Sequence, residues 1–416
     1  MLAWLLKMTQ EIYSLSEVAD ILGVSKETLR RWDTSGKLIS HRNDENNYRF
    51  YEKDQLRNFE QAQFLFEKNW FNEDESHETN YTIVELFAGA GGMALGLEKA
   101  GFKSLLLNEI DSHACKTLRK NRPNWNVIEG DVGKLDFTSY KNKVDVLAGG
   151  FPCQAFSYAG KKLGFEDTRG TLFFEFARAV KEMNPKVLLA ENVRGLLNHD
   201  EGRTLSTIKN IISELGYTLF EPRVLKAIFY KVPQKRERLI LVAVRNDLAN
   251  NLEYEWPLPY HKILNLKDAL KKGELYDCDV PDSEGQKYPK RKAEILSMVP
   301  PGGYWRDLPD AIQREYMLKS FFLGGGKTGM ARRLSWDEPS LTLTCAPAQK
   351  QTERCHPDET RPLTVREYAR IQTFPDDWSF EGPISAKYKQ IGNAVPVNLS
   401  LAVGRSVIRL LDKINS

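Results

Sequence analysis

Short apolar runs recur along the chain from residue 81 onward and alternate with amphipathic stretches of helical spacing. Apolar runs bounded by glycine or charged residues are typical of buried strands. Regular alternation of such strands with helices predicts an α/β domain, with a mostly parallel sheet covered by helices on both faces. The predicted strands are TIVELF, LLLNEI and residues 125–128, 144–148, 187–191 and 238–244.

The N-terminal part of the chain has a different pattern. In SLSEVADILGVSKETLRRW, apolar residues recur at helical spacing on both sides of Gly23. Ser16 and Ser25 are suitable N-caps, so two short helices are predicted, the second ending at Trp32. The next segment, GKLISHRNDENNYRFYEKDQL, predicts a wing followed by a third helix. Residues 12–71 are therefore predicted to form a winged helix-turn-helix domain, and the polar, acidic residues 72–80 a linker.

The second of these helices is basic and suited to contact phosphates or base edges. The residues predicted to contact DNA there are Lys26, Arg30 and Arg31. The segment resembles the winged DNA-binding module of MerR-type regulators. The long helix by which those regulators dimerise is missing or very short, so a monomer is expected. A small packing domain that never touches DNA is the alternative, and both regulation of its own operon and added DNA affinity stay open as roles.

The alternating pattern stops after residue 248. Residues 249–362 are rich in proline, glycine, tryptophan and basic residues, which predicts a small loop-rich domain that reads DNA. The GGGKT segment is not a phosphate-binding loop, because Phe321 stands where that motif requires glycine. Residues 363–416 regain helical periodicity and are predicted to return to the domain formed by residues 81–248. The predicted DNA contacts, each of which could instead be a solvated charge, are Lys327, Arg332 and Arg333.

Composition narrows the class of protein only slightly. The chain has 416 residues, 41% of them hydrophobic, which is enough for two or three domains with buried cores. A net charge of +3 permits nucleic-acid binding without arguing for it. Five cysteines without C-x-x-C spacing predict no disulfide framework and no metal site, and they favour a reducing cytoplasm. No membrane span or signal peptide is predicted, and translation could start at Met1 or Met8.

A glycine-rich turn, AGAGG, follows the first predicted strand of the α/β domain. Gly89, Gly91 and Ala94 fit the pattern G-x-G-x-x-A, and Glu109 follows Gly89 by 20 positions at the end of the next strand. Glycines let a ligand approach the backbone, and a carboxylate at this spacing binds ribose hydroxyls. The pattern alone fits either a dinucleotide or S-adenosylmethionine, and the glycines could also serve only to pack a helix on a strand.

A cysteine, Cys153, follows the strand predicted at residues 144–148, in a turn shaped by Gly149, Gly150 and Pro152. Open α/β sheets keep their chemistry in such loops. GFPCQ is followed in order by ENV, QKRER and IGNAVP. Together these motifs resemble the cytosine carbon-5 DNA methyltransferases of restriction-modification systems. The resemblance extends from about residue 81 to the C-terminus.

This resemblance implies a Rossmann-like methyltransferase domain with an antiparallel hairpin at one sheet edge. It also implies S-adenosyl-L-methionine as the cofactor. Ile110 would pack on the adenine ring, where members of the family often carry an aromatic residue. The residues that the resemblance assigns to the cofactor site are Phe87, Ala88, Gly89, Gly91, Glu109, Ile110, Asp131, Pro152, Asn393, Ala394 and Val395.

The resemblance also implies a catalytic role for four residues, because carbon-5 of cytosine is a weak nucleophile. The thiolate of Cys153 would add to carbon-6 and convert the ring to an enamine. Glu191 would hydrogen-bond or protonate N3 as negative charge builds on the ring. Arg238 and Arg236 would hold the cytosine carbonyl and the thiolate side as fixed cations.

A base inside a duplex cannot be reached by these groups, so the target cytosine must be flipped out of the helix. Residues 154–171 resemble the mobile loop that closes over the flipped base, and Gln154 and Ser157 are predicted DNA contacts. The substrate is therefore expected to be double-stranded DNA, with a short GC-rich palindrome as the target and a restriction endonuclease as the genetic partner.

Two other functions share parts of this pattern. A tRNA cytosine methyltransferase would share the same core, but the chain has no C-F-T signature and it carries a DNA-binding module. A transcription regulator with an inert enzyme half would be indicated by loss of Cys153 or Glu191, and both residues are present. A DNA (cytosine-5)-methyltransferase is the prediction.

Overall fold

The structure is a computed structural model that describes residues 11–44, 46–66, 79–152, 172–260, 262–325 and 327–416. Its N-terminal module combines two helices with a three-stranded antiparallel sheet. The elements are β1 (Ile12–Ser14), α1 (Leu15–Leu22), α2 (Lys26–Ser35), β2 (His41–Arg42) and β3 (Arg49–Glu52). β2 and β3 form the predicted wing, and β1, which was not predicted, pairs with β3 on the other side.

The N-cap of one helix is the residue predicted from the sequence, and the N-cap of the other is not. Ser14, and not the predicted Ser16, caps α1: its hydroxyl accepts from the Glu17 amide at 3.3 Å, and the Glu17 carboxylate accepts from the Ser14 amide at 2.7 Å. This reciprocal pair is a capping box, and Ser16 is buried within the helix. Ser25 caps α2 as predicted, accepting from the Thr28 amide at 3.0 Å.

The third helix predicted for the module is two 3-10 segments, Lys53–Leu56 and Glu60–Leu65. The second helix also extends to Ser35, beyond the predicted end at Trp32, and stops at Gly36 in a left-handed conformation. Apolar side chains from both helices, from β3 and from the 3-10 segments form one buried core. The predicted winged helix-turn-helix architecture is thus confirmed, with shorter and less regular elements after the wing.

A twisted sheet forms the centre of the remaining chain. Its strands are β4 (Thr82–Leu86), β5 (Lys103–Glu109), β6 (Val127–Glu129), β7 (Val146–Gly149), β8 (Val187–Val193), β9 (Tyr217–Leu219), β10 (Arg223–Lys226) and, after a separate short strand β11 (Gln234–Lys235), β12 (Glu237–Arg245). The order is β10-β12-β8-β7-β4-β5-β6, with β9 also paired to β12. β6, β5, β4, β7 and β8 are parallel, whereas β12, β9 and β10 form an antiparallel edge. This confirms the mostly parallel sheet.

Helices cover both faces of the sheet, as the alternating pattern predicted. The helices that follow the first strands are α3 (Gly92–Ala100), α4 (Ser112–Asn121), α5 (Leu172–Met183) and α6 (Arg203–Glu214). Apolar residues of α5 and α6 pack on one face against β4, β7, β8 and β12. α3 lies on the other face.

The chain between residues 249 and 362 leaves the sheet. It contains α7 (Leu266–Leu270), α8 (Lys290–Ser297), α9 (Asp310–Met317) and β13 (Ser340–Leu341). α8 and α9 share a small core with Trp305 and Met330. We call residues 249–362 the recognition segment, after the role predicted for them. β13 pairs in parallel with β11 and so joins the recognition segment to the sheet domain. The sequence did not predict these helices, which have five, eight and eight residues and lie in a segment rich in proline and glycine.

The C-terminal part returns to the sheet domain. It forms α10 (Val365–Ile371), α11 (Ile384–Asn393) and α12 (Val397–Asn415). α12 lies along α3 so closely that a Cβ at Gly96 would stand 2.8 Å from the Leu401 amide nitrogen. The stretch Ile384–Asn415 is long and apolar enough to cross a membrane, but 72% of its most apolar window is buried inside the protein. It therefore supplies core helices of the sheet domain.

Candidate active site

The carboxylate predicted to act on the base lies at the end of β8, beside an arginine of β12. Glu191 is 8% exposed, and its carboxylate forms an ion pair with the Arg238 guanidinium, which is equally buried. Antiparallel pairing places Ile240 directly opposite Glu191, so Arg238 reaches the carboxylate diagonally, from two residues along the strand. A Cβ at Gly150 would lie 3.0 Å from the Glu191 carboxylate, so a larger residue at this position would crowd the ion pair.

The neighbouring residue, Asn192, links β8 to the loop that follows β7. Its side-chain amide donates a hydrogen bond to the Phe151 carbonyl at 2.8 Å, and both groups are buried. The Phe151 ring packs edge-on against Phe173 of α5, with centroids 5.0 Å apart. Exposed Pro152 comes next, and the predicted nucleophile Cys153 lies outside the described residues, as do Gln154, Ser157 and the rest of the predicted mobile loop. The fold therefore fixes the peptide immediately before the cysteine.

Sequence reasoning singled out the ENV motif for Glu191 and missed what Asn192 does. The motif itself was the available signal, because a polar residue that directly follows a buried strand needs a partner. The partner lies 41 residues away along the chain and could not be read from the local pattern.

Arg236 has a different environment from the one predicted. Its guanidinium is 1% exposed and donates to the backbone carbonyls of Leu343 at 3.2 Å and Gly392 at 2.9 Å. Burial, followed by repulsion from Arg238, lowers the pKa of Arg236 to about 9. Arg236 thus joins the recognition segment to the end of α11, while Arg238 is the arginine that touches Glu191.

The glycine loop after β4 has the backbone of a ligand-binding turn. Phe87, Gly89 and Gly91 all have positive φ angles, of 60°, 56° and 86°. Positive φ is strained for a residue such as Phe87, and strain of this kind concentrates at functional sites. Ala88 donates its amide to the Asn108 carbonyl at 3.0 Å, which anchors the loop to β5. A Cβ at Gly89 would meet no atom of the described residues within 4 Å, so the described part of the chain leaves space beside the loop.

Glu109 stands at the end of β5, facing this loop. Its carboxylate accepts backbone hydrogen bonds from Gly89 at 2.7 Å, Ile110 at 2.9 Å and Asp111 at 2.8 Å. The Ile110 side chain beside it is 71% exposed, although it is a large apolar residue. Asp131 is brought to the same edge because the Gly130 amide donates to the Glu109 carbonyl at 2.9 Å. The structure therefore brings together the residues predicted for the ribose and adenine.

The IGNAVP motif, residues 391–396, packs against the other side of the glycine loop. A Cβ at Gly92 would stand 3.1 Å from the Ala394 Cβ and would also collide with the Val395 carbonyl. The side chain of Gln372 donates to the Ala394 carbonyl at 3.2 Å, and Asn393 accepts from the Cys345 thiol at 3.0 Å. Asn393, Ala394 and Val395 thus lie beside the loop, where the resemblance placed them.

A second buried acid, Glu85 of β4, was not predicted. It is 2% exposed and lies in register with Ala148 of β7 and Leu107 of β5. Burial, and then the negative charges of Glu109 and Glu191, raise the pKa of Glu85 well above its usual value. Such surroundings favour the neutral form of this carboxyl group relative to a solvated one.

The cations predicted to contact DNA have differing environments. Lys26 pairs with Glu338 at 2.6 Å, and Arg30 pairs with Glu27 at 3.0 Å on the exposed side of α2. The neighbouring Arg31 is exposed and donates to the Thr28 hydroxyl at 3.3 Å. Lys327 donates to the Leu323 carbonyl.

The remaining pair, Arg332 and Arg333, is largely buried. Arg332 lies 3.9 Å from the Glu338 carboxylate, and its side chain is 16% exposed. Arg333 is 4% exposed and donates to the carbonyls of His356 and Leu296 at 3.1 and 2.8 Å. This placement does not support the predicted DNA contact of Arg333, because its guanidinium is engaged in holding loops of the recognition segment together.

The arrangement of these groups matches one family of enzymes. Residues 81–409 match the model of the C-5 cytosine-specific DNA methylases, which is more than half of the chain. The chain belongs to this family. It is therefore an enzyme, a DNA (cytosine-5)-methyltransferase, as the four sequence motifs predicted. Residues 14–51 match the MerR family of regulatory proteins, which confirms the resemblance of the N-terminal module.

Individual relatives extend over the whole methylase chain. The type II methyltransferase M.Eco47II of Escherichia coli is 85% identical over 415 residues and covers 100% of both chains. The type II methyltransferase M.PspPI of a Psychrobacter species is 64% identical and covers 98% of each chain. A crystal structure of Spodoptera frugiperda DNMT2 covers 80% of this chain and 100% of its own, with a TM-score of 0.57 and 16% identity. That likeness supports the fold alone.

Proposed function

We propose that this methylase transfers a methyl group from S-adenosyl-L-methionine to carbon-5 of a cytosine that is flipped out of a short site in duplex DNA. The observation that carries the proposal is the Glu191–Arg238 pair, which Asn192 ties to the peptide preceding Cys153. A carboxyl group, a fixed cation and a thiol would then converge on one base beside the glycine loop. This is the set of groups that addition to the cytosine ring requires.

The residues around the glycine loop fit S-adenosyl-L-methionine. The space that the described residues leave beside Gly89 admits a ligand against the backbone, and the exposed Ile110 side chain offers an apolar surface for adenine. Glu109 would accept the ribose hydroxyls, and Asp131 the adenine amino group. The other residues proposed to line the site are Phe87, Ala88, Gly91, Pro152, Asn393, Ala394 and Val395. The cofactor supplies the methyl group when it is bound.

The chain's own residues would activate the cytosine. The Cys153 thiolate adds to carbon-6, and the electron pair of the carbon-5–carbon-6 double bond makes carbon-5 nucleophilic. Glu191 would hydrogen-bond or protonate N3, where negative charge develops. Arg238 orients Glu191 and offers a fixed positive charge to the base carbonyl. After methylation, loss of the carbon-5 proton restores the double bond and expels the cysteine.

The setting of the reaction is part of the same proposal. The type II relatives favour a role in a restriction-modification system, with a restriction endonuclease as genetic partner and no requirement for physical contact. We propose that the enzyme acts as a cytoplasmic monomer on a short GC-rich palindrome. We also propose the division into residues 12–71, a linker at 72–80, a catalytic domain at 81–248 and 363–416, and a recognition domain at 249–362.

Methyl transfer from labelled S-adenosyl-L-methionine to duplex DNA tests the proposal. The intact enzyme should label DNA, and bisulfite sequencing of the product should place the methyl group at one cytosine of one short site. Cys153→Ala should abolish labelling, whereas Cys278→Ala, which removes an exposed thiol elsewhere in the fold, should not. Labelling that survives Cys153→Ala, or that appears on tRNA and not on DNA, would refute the proposal.

A further inference from the structure

The N-terminal module is packed against the methylase domain. Ile228 and Ile263 of the methylase chain are 3% and 6% exposed and belong to the same buried core as Leu22 and Tyr51 of the module. The ring of Phe229 also packs against Phe64, with centroids 5.3 Å apart. Burying apolar side chains across the contact favours a fixed arrangement of the two parts.

Two ion pairs cross the same contact, one from each helix of the helix-turn-helix. Asp20 of α1 pairs with Lys235 at 3.0 Å, and Lys26 at the start of α2 pairs with Glu338 at 2.6 Å. The Asp20 backbone carbonyl also accepts from the Lys226 ammonium at 3.0 Å. We call Asp20, Lys26, Lys235 and Glu338 the clamp residues.

The partners of the module lie on the pair of strands that joins the recognition segment to the active site. Lys235 belongs to β11, and Glu338 precedes β13 by two residues. We call this β11–β13 pair the ribbon. Gln234 of the ribbon accepts from the Leu343 amide at 2.9 Å, and the Thr342 hydroxyl donates to the Lys235 carbonyl at 2.6 Å. Each strand of the ribbon is therefore held by one helix of the module.

The ribbon leads directly into the catalytic groups. Arg236 follows β11 and binds the Leu343 and Gly392 carbonyls, and Arg238, two residues further on, pairs with Glu191. A small rotation of the ribbon would move these arginines and the recognition segment relative to each other.

Glu338 is the central group of the clamp. Its carboxylate faces Lys26, Lys235 and Arg332, and although burial opposes ionisation, these cations lower its pKa. The side chain of Glu338 is 27% exposed and that of Lys26 is 40% exposed. Reversing one charge would bring like charges together in a partly buried contact.

The clamp also restricts how the module can use its second helix. A helix-turn-helix protein places the N-terminal residues of its second helix against base edges in the major groove. Here the Lys26 ammonium is engaged by Glu338. The docked module therefore turns the start of this helix toward the ribbon, while Arg30 further along is 48% exposed.

We propose that the docked module clamps the ribbon through Asp20, Lys26, Lys235 and Glu338, and so orients the recognition segment relative to the active site during target methylation. The clamp residues are positioning residues, since they act through Arg236 and the recognition segment and touch neither base nor cofactor. This proposal rests on the methyl transfer proposed above, because methyl-transfer kinetics are the measurement that tests it.

A charge-swap experiment on the full-length enzyme tests this inference. Lys26→Glu and Glu338→Lys should each raise the KM for a duplex carrying the target site by about threefold or more, with a smaller change in kcat, because coupled partly buried charges interact at this level. The double variant restores opposite charges at this pair, while the lysine at position 338 still faces Lys235 and Arg332. Its KM should therefore fall below that of Glu338→Lys alone without reaching the wild-type value, and a KM at or above that of Glu338→Lys would refute the clamp. Asp337→Lys is the matched control, because it adds the same charge at an exposed neighbour of Glu338.

The outcomes separate the clamp from simpler roles. If Lys26 contacts DNA directly, the swapped variant will not be rescued, and the clamp is refuted. If the single variants lower only the melting temperature and leave the KM unchanged, the contact is merely structural and the clamp is again refuted. A wild-type enzyme that fails to methylate DNA in the same assay would instead refute the proposed methyl transfer.

Discussion

The side-chain amide of Asn192 donates a hydrogen bond to the backbone carbonyl of Phe151 at 2.8 Å, across 41 residues of sequence. This bond joins the strand that carries Glu191 to the loop that leads into Cys153. The proposed general acid and the residue that precedes the proposed nucleophile are therefore not held independently. Movement of either strand end would change the distance between the two segments that carry the groups proposed to act on the same ring.

Replacing Asn192 by alanine should slow methyl transfer more than it weakens substrate binding. The Phe151 carbonyl would lose its buried partner, which costs about 1–3 kcal/mol of stability, and the peptide before Cys153 would be free to shift. We expect the single-turnover rate at saturating DNA and cofactor to fall by about 10- to 100-fold. Asn250→Ala, in an exposed turn, is the control, and an unchanged rate for Asn192→Ala would contradict this role.

Glu85 should make the stability of the enzyme depend on pH. Because its pKa is raised in the folded state, the folded protein binds more protons than the unfolded chain above the usual carboxyl pKa. The stability associated with Glu85 is thus fully present below that usual pKa and is lost as pH rises toward the raised value, with a slope of at most about 1.4 kcal/mol per pH unit. Urea unfolding at several pH values measures this loss.

Glu85→Gln is the matched variant, since it keeps the shape of the side chain and cannot ionise. The difference in unfolding free energy between Glu85→Gln and wild type should move in favour of the variant as pH rises from 5 to 8. A difference that does not change with pH would show that the group does not titrate differently in the folded and unfolded states.

The contact between the glycine loop and the C-terminal motif should be needed for cofactor binding. A Cβ at Gly92 would crowd the Ala394 side chain at 3.1 Å and the Phe374 ring at 3.4 Å. Gly92→Ala should therefore displace the loop and weaken S-adenosyl-L-methionine binding by about tenfold or more, since each tenfold loss needs only about 1.4 kcal/mol. Isothermal titration calorimetry measures the dissociation constant.

Gly96→Ala provides the control for this variant. Gly96 lies on the same helix and is crowded by Leu401 of α12, one turn further from the loop. Both variants should lower the melting temperature, and only Gly92→Ala should weaken the cofactor strongly. Equal dissociation constants for the two variants would mean that the effect is a general loss of helix packing.

The sequence predicted those features that depend on local pattern. The strand at Val187–Val193 was recognised because its apolar run is continuous, and the glycine loop because its spacing to Glu109 is fixed by the strand–turn–helix geometry. The cap at Ser14 was missed because Ser16 lies two residues away and either serine could begin the helix. The spacing to the next acid does distinguish them: Ser14 is followed three residues later by Glu17, as a capping box requires, whereas Ser16 is followed at that distance by Ala19.

Other features depend on contacts between distant segments and could not be predicted. In the sequence, Arg333 and Lys327 are both cations of a basic, loop-rich segment. In the structure, Arg333 is 4% exposed, whereas Lys327 is partly exposed. Likewise, the Lys26–Glu338 pair joins residues 312 positions apart. The charge of a side chain indicates which groups it could bind. Which of them it does bind depends on its burial, and burial is set by the tertiary fold.

Arg333 offers a test of whether such a cation stabilises the fold or contacts DNA. Its guanidinium donates to the carbonyls of Leu296, His356 and Pro357 and to the Thr360 hydroxyl. Arg333→Ala would remove the guanidinium that the buried His356 and Pro357 carbonyls accept from, so we expect a loss of about 2–4 kcal/mol in unfolding free energy. A residue that contacts a phosphate behaves differently. Its removal reduces, by about 1, the slope of the logarithm of the DNA-binding constant against the logarithm of the salt concentration.

We therefore expect Arg333→Ala to lower the melting temperature while leaving the salt slope of DNA binding unchanged, measured by fluorescence anisotropy well below the unfolding transition. Lys327→Ala, at a partly exposed cation in the same segment, should leave the melting temperature nearly unchanged. If Arg333→Ala reduced the salt slope and left stability intact, Arg333 would be a DNA contact after all. The buried hydrogen bonds seen here would then have to open when DNA binds.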